Sequence, residues 1–122
     1  MDEICDVTPD YIIYTDGSCN NFSPFGEGGA AYIILDGVTK EVIRHWSTGL
    51  LGTTNNRAEL FAIMRGLQAV PDGSTVLVIT DLQYCIRVVG MRHKETPHKN
   101  KDLVKFCRES ADVHKKVYYE WV

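Results

Sequence analysis

Apolar positions divide the chain into segments of two periods. Residues 11–15 (YIIYT) form an apolar, β-rich run that stops at Asp16-Gly17, which predicts a strand ending at a turn. The stretch from Asn20 to Gly29 holds Pro24 and three glycines and reads as loop. Residues 30–35 and 38–46 flank Asp36-Gly37, a strong hairpin signal. From Asn56 to Val70 the period becomes helical. Leu60, Phe61, Met64, Leu67 and Gln68 recur at i, i+1, i+4, i+7, i+8, with the apolar members on the buried face. Pro71-Asp72-Gly73 supplies turn chemistry that ends this helix. TVLVIT, at 75–80, is a near-continuous apolar run, as expected of a central strand buried on both faces. A short helix is predicted from Leu82 to Val89, then a basic connection over 91–99, then a second long helix over 101–114. That helix has Leu103, Val104, Cys107 and Ala111 on one face. The closing VYYEWV alternates like a strand. The order βββαβααβ predicts an α/β fold, with a mixed β-sheet of antiparallel then parallel strands flanked by helices.

At 122 residues the chain is predicted to be one domain, with residues 1–10 as a short N-terminal extension. No apolar run approaches the roughly 20 residues of a membrane span. The acidic opening MDEICDVTPD does not suit a secretory signal or transit peptide. Cys5, Cys19, Cys85 and Cys107 have no CxxC spacing and no zinc pattern with the histidines. They read as reduced thiols of a cytoplasmic protein. The overall charge of −3 is uneven: residues 87–116 hold nine of the thirteen Lys/Arg and four acids, a net +5, against −8 elsewhere. A basic segment beside an acidic remainder suits a nucleic-acid enzyme, although a solvated helix face gives the same pattern.

Three carboxylates stand at predicted element boundaries: Asp16 in YTDGSC, Glu59 in TTNNRAEL and Asp81 in VITDLQY. Each has an ordinary structural role open to it. Asp16-Gly17 suits a turn, Glu59 the third helical position of a capping box, and Asp81 a helix N-cap. Together they suggest more, because an α/β fold gathers such positions at one sheet end. Converging acids repel, and burying them is costly unless a cation neutralises them. Oxygen ligands suit a hard ion such as Mg²⁺, which takes one or two carboxylates plus substrate phosphates. This points to a metal-dependent phosphodiester enzyme.

The words YTDGSC, GTTNNRAEL and TDLQY, in that order and separated by a glycine-rich loop and a hairpin, resemble the type 1 ribonuclease H family from about Tyr11 to Val122. The resemblance implies a ribonuclease H-like sheet and endonucleolytic hydrolysis of the RNA strand of RNA–DNA hybrids by two Mg²⁺ ions, with Mn²⁺ as a substitute. It implies catalytic and metal-ligating roles for Asp16, which would bridge both ions, and for Glu59 and Asp81 at the leaving-group side. It also implies that Asn55 and Asn56 reach the minor groove, that Thr54 helps grip a DNA phosphate, and that Gln83 is a further groove contact. Such amides can both donate and accept. The implied partner is the hybrid alone, with no membrane and no obligate protein partner, acting as a monomer unless another chain completes the site. Arg57 is given no role. Trp121 matches a strand tryptophan whose expected work is core packing, and the basic run from Arg87 to Lys101 stands where some members carry a basic handle. His93 and His98 read as exposed loop histidines.

Some positions depart from the family pattern. Leu82 replaces a small polar residue, Ser23 stands where an asparagine precedes proline, and the glycine-rich loop is slightly long. The family pattern also continues past the last strand with a Gly-His loop and a helix bearing a fourth acid, whereas the sequence ends at Val122. The expectation is a C-terminally shortened member, lacking the last helix and slow in turnover. The alternative is a catalytically impaired hybrid-binding module lacking the fourth carboxylate. A third, weaker reading is a related nuclease acting on DNA.

Overall fold

The computed structural model describes residues 8–92 and 99–122. Five strands form one sheet: β1 (Tyr11–Cys19), β2 (Gly28–Asp36), β3 (Val42–Leu50), β4 (Thr75–Thr80) and β5 (Lys116–Trp121), in the order β3-β2-β1-β4-β5. β1, β2 and β3 are joined antiparallel, while β4 runs parallel to both β1 and β5. The mixed sheet expected from the pattern is therefore present. β4 is paired on both edges, which explains why Val76, Val78, Ile79 and Thr80 are all buried.

Helix α1 (Asn55–Gln68) begins where Thr54, in extended conformation, accepts a hydrogen bond from the Arg57 backbone N–H. Such a cap satisfies one of the N–H groups orphaned at a helix start. Its apolar stripe of Leu60, Ile63 and Leu67 meets Ile13, Tyr32 and Ile34 of the sheet, and Leu103, Val104 and Cys107 of α3 (Lys101–Asp112) complete the core. Arg57 binds Asp102 through two hydrogen bonds at 3.1 and 3.0 Å and also reaches Asn100 at 3.3 Å, tying the first turns of α1 and α3 together. This gives Arg57 a structural task.

Several expected boundaries differ. β1 runs on past Asp16-Gly17 to Cys19, because Asp16 and Gly17 stay paired with Ala31 and Ala30 of β2. Asp36-Gly37 is not a two-residue turn. The Asp36 carboxylate accepts from the backbone of Val38 and Thr39, Lys40 takes a left-handed φ of 67°, and β3 starts only at Val42. The expected helix from Leu82 to Val89 is a three-residue α2 (Gln83–Cys85) followed by a π-helical turn, Ile86–Gly90, closed by Met91 N–H to the Ile86 carbonyl. Most of the expected basic connection (93–98), including His93 and His98, lies outside the described residues. Among the described residues no helix is long and apolar enough to cross a membrane.

Candidate active site

The β1–β4 ladder ends at Tyr14–Ile79, and beyond it each strand contributes a Thr-Asp pair: Thr15-Asp16 on β1 and Thr80-Asp81 at the end of β4. α1 crosses beneath this point. Gly17 allows the close approach, since a Cβ there would stand 2.3 Å from the Ala58 carbonyl carbon and the Glu59 nitrogen. Glu59 is thereby brought up from the core side. One carboxylate oxygen from each of Asp16, Glu59 and Asp81 lies within 4.8 Å of the others.

The three acids are not equivalent. Asp16 and Asp81 are exposed, while Glu59 is fully buried. Its Oε2 accepts from the hydroxyls of Thr15 and Thr80, both at 2.5 Å, whereas Oε1 is buried without a hydrogen-bond partner. Burial raises the Glu59 pKa above its ordinary value. The two threonine donors pull it down, and the charges of Asp81 and Asp16 push it further up. A buried carboxylate with one oxygen lacking a donor among the described residues, and with two like charges opposing its own, is the kind of acid that a bound cation would neutralise. An all-oxygen set of this kind fits a hard divalent cation and fits neither a soft nor an imidazole-seeking one.

Asp81 is oriented through its backbone: the Trp121 indole N–H donates to the Asp81 carbonyl at 3.2 Å. Trp121 is 56% exposed, so its expected role in the core is corrected to one of holding the strand ends together beside the acids.

The four expected nucleic-acid contacts lie on two elements that border the cluster. Thr54, Asn55 and Asn56 open α1 just ahead of Glu59, and Gln83 opens α2 just after Asp81. Asn55 Oδ1 accepts from the Cys19 backbone N–H at 2.7 Å, which fixes its amide and leaves the NH₂ end as the group on offer. Among the described residues the side chains of Asn56 and Gln83 make no hydrogen bond, and Gln83 is exposed. From the basic segment, Arg92 is paired with Asp112 at 2.9 Å and Arg108 donates to the Val88 carbonyl at 2.8 Å. Those two charges are at least partly committed within the chain.

Thr15, Thr80 and Gly17 are the site residues that the sequence reading passed over. The signal for the first two is the Thr-Asp dipeptide repeated at the ends of two strands. Replacing Gly17 with alanine is expected to lower the urea midpoint, at a cost of roughly 1–3 kcal/mol or more, because backbone rather than a mobile side chain blocks the added methyl. An unchanged midpoint would contradict this packing.

A family model described as RNase H matches residues 8–122. Among curated relatives, a ribonuclease H of Pseudomonas fluorescens (strain Pf0-1) is 35% identical, over 90% of this chain and 75% of its own length. That of Jannaschia sp. (strain CCS1) is 34% identical, over 93% of this chain and 79% of its own. Among solved structures, the N-terminal RNase H domain of a Mycobacterium tuberculosis protein, solved as a fusion with maltose-binding protein, superposes with a TM-score of 0.77. It shares 20% identity and covers 92% of this chain and 81% of that one, a likeness of fold. A match reaching from Thr8 to the last residue, on a fold whose sheet gathers three acids at one end, leads to one assignment: this chain belongs to the RNase H family.

Proposed function

We propose that the chain hydrolyses the RNA strand of RNA–DNA hybrids at the Asp16, Glu59 and Asp81 cluster, as a single domain and without a second subunit. The observation that carries this reading is the buried Glu59 carboxylate, held by two hydroxyls, with one oxygen unpartnered and two exposed aspartates beside it. These residues would hold Mg²⁺, or Mn²⁺ in its place. Divalent ions bound in pairs there would make a water nucleophilic near neutral pH and stabilise the departing oxygen. The chain's own part is positional. Thr15 and Thr80 fix the Glu59 carboxylate, and Trp121 anchors the backbone of Asp81.

The neighbouring amides supply the hybrid contacts. Thr54 Oγ1 already accepts from Arg57 N–H at 3.2 Å, so its own proton is available to a DNA phosphate. The Asn55 NH₂, with the amides of Asn56 and Gln83, suits 2′-hydroxyls and base edges in a shallow minor groove. Cys19, Cys85 and Cys107 are free thiols, in keeping with a cytoplasmic setting.

An end-labelled hybrid incubated with Mg²⁺ should be cut within its RNA strand to give 5′-phosphate and 3′-hydroxyl ends, with duplex DNA spared. Equal cutting of duplex DNA would refute hybrid specificity, and hybrid binding in Ca²⁺ without any cutting in Mg²⁺ or Mn²⁺ would reduce the protein to a binding module. Asn56→Ala removes no hydrogen bond among the described residues. It is expected to raise KM for the hybrid roughly three- to tenfold, the worth of a hydrogen bond or so, with a smaller effect on duplex DNA binding.

A further inference from the structure

The loop joining β1 to β2 displays two phenylalanines that the fold leaves unused. Phe22 is 96% exposed and Phe25 is 70% exposed, and Leu51, from the β3–α1 connection, is 77% exposed. The loop that holds them is nevertheless well tied. Its neck is closed by Asn20 N–H to the Glu27 carbonyl at 2.7 Å. Asn20 Oδ1 accepts from Phe22 N–H at 3.0 Å, and Ser23 Oγ accepts from Phe25 N–H at 3.2 Å.

The same loop is laced to the β3–α1 connection. Gly52 N–H donates to the Phe25 carbonyl at 2.9 Å, and Thr53 N–H donates to the Gly26 carbonyl at 3.0 Å. Gly26 sits at φ +62°, where a Cβ would also press to 3.0 Å from the Thr53 nitrogen, so the lacing selects glycine. The next residues along that connection are Thr54 and Asn55, and Asn55 in turn accepts from Cys19 at the start of the loop. Phe22 and Phe25 therefore stand on a loop tied to the connection that leads into Thr54 and Asn55, Leu51 stands on that connection, and β1 leads into the loop from Asp16.

We infer that Phe22 and Phe25 form an apolar ledge that packs on the sugar surface along the minor groove of the hybrid beside the amide cluster. This contact rests on the hybrid reading above. The chemistry favours nucleic acid over a protein partner. Phe22, Pro24 and Phe25 are the exposed apolar residues of the loop and are flanked in sequence by Asn20, Asn21, Ser23 and Glu27, whereas a stable protein interface needs a broader apolar centre. Single aromatics do act alone on nucleic acid, stacking or wedging without reading sequence. A wide, shallow minor groove offers them sugar surface to cover. No basic side chain lies between Asp16 and Lys40, so the ledge adds affinity that does not come from phosphate neutralisation.

The test is the double variant Phe22→Ala/Phe25→Ala. Anisotropy of a labelled hybrid in Ca²⁺ is measured across a salt series, alongside cleavage in Mg²⁺ and thermal unfolding. Because both rings are solvent-exposed, the melting temperature should not move. Kd and KM should rise roughly tenfold, the scale of losing the partial burial of two apolar rings. The slope of log K against log salt should stay at the wild-type value, since no phosphate contact is lost, and kcat at saturation should be unchanged. Phe22→Trp/Phe25→Trp should retain wild-type binding. Wild-type affinity in the alanine variant would overturn the ledge while leaving the hybrid reading intact, and so would a wild-type dimer that the variant loses without weaker hybrid binding. A wild-type protein that neither binds nor cuts hybrid would overturn the hybrid reading, and this contact with it.

Discussion

Replacing Asp16 with asparagine is expected to slow hybrid cleavage by a factor on the order of 10³ or more while leaving hybrid binding in Ca²⁺ nearly intact. The side chain is exposed, makes no hydrogen bond within the described residues, and shares its surroundings with two other acids. It therefore does little for folding, and its charge is opposed locally by those of Glu59 and Asp81. What it offers is a carboxylate oxygen toward the space the three acids enclose. An asparagine keeps the shape and halves the oxygen donors without the charge, so the several kcal/mol of electrostatic stabilisation that divalent ions lend a phosphodiester reaction is lost. Single-turnover cleavage with saturating Mg²⁺, read beside Ca²⁺ binding and a melting curve in EDTA, separates this from misfolding. A variant that cuts within tenfold of wild type would remove Asp16 from the proposed chemistry.

The convergence behind that prediction is legible in the sequence because each acid ends or opens a segment whose period is plain. β4 is an uninterrupted apolar run, and α1 is marked by its periodicity and by Thr54 ahead of it. Their lengths follow from local rules, and they come out within about two residues of expectation. What failed was decided by tertiary contact. Asp16-Gly17 has turn composition, yet β2 pairs with it and α1 packs on the bare Gly17 backbone, so the strand continues. At Asp36 the side chain takes the backbone donors of Val38 and Thr39, which lengthens the hairpin loop and moves the start of β3 to Val42.

Other features carry no local signal at all. A π-helical turn over Ile86–Gly90 differs from an α-helix by one hydrogen-bond step, and five residues are too few to shift a periodicity. The distinguishing contact is distant: a Cβ on Gly90 would meet the Tyr119 ring of β5 at 2.7 Å. Trp121 looks like a core residue because tryptophan usually is one. Its position at the strand end instead sets its indole N–H on the Asp81 carbonyl. Thr15 and Thr80 read as β-branched strand residues, and only the register that places both over Glu59 reveals them as hydrogen-bond donors.

Glu59→Gln is expected to abolish cleavage and, in EDTA at neutral pH, to make the protein more stable by roughly 1–3 kcal/mol, the scale of an unmet buried polar group. Wild-type Glu59 is fully buried, with its negative charge met by two neutral hydroxyls on one oxygen and by nothing on the other. Glutamine keeps an oxygen for Thr15 and Thr80 and carries no charge, so the repulsion from the Asp16 and Asp81 carboxylates is removed. The pH dependence gives the sign. Burial raises the folded-state pKa of Glu59 above its ordinary 4.5. In that window the folded chain holds a proton that the unfolded chain has released. Stability from this group is therefore fully present below 4.5 and is lost as pH rises through the folded value. The variant has no such titration, so its advantage should be near zero in acid and should open as pH increases. Divalent ions should reverse the order, because an ion that binds only the folded wild type raises its melting temperature by mass action. Urea unfolding across pH, with EDTA and with Mg²⁺, reads both effects. A variant less stable than wild type in EDTA at neutral pH, or one that melts higher with added Mg²⁺ by as much as wild type does, would show that Glu59 is not an uncompensated acid awaiting a cation.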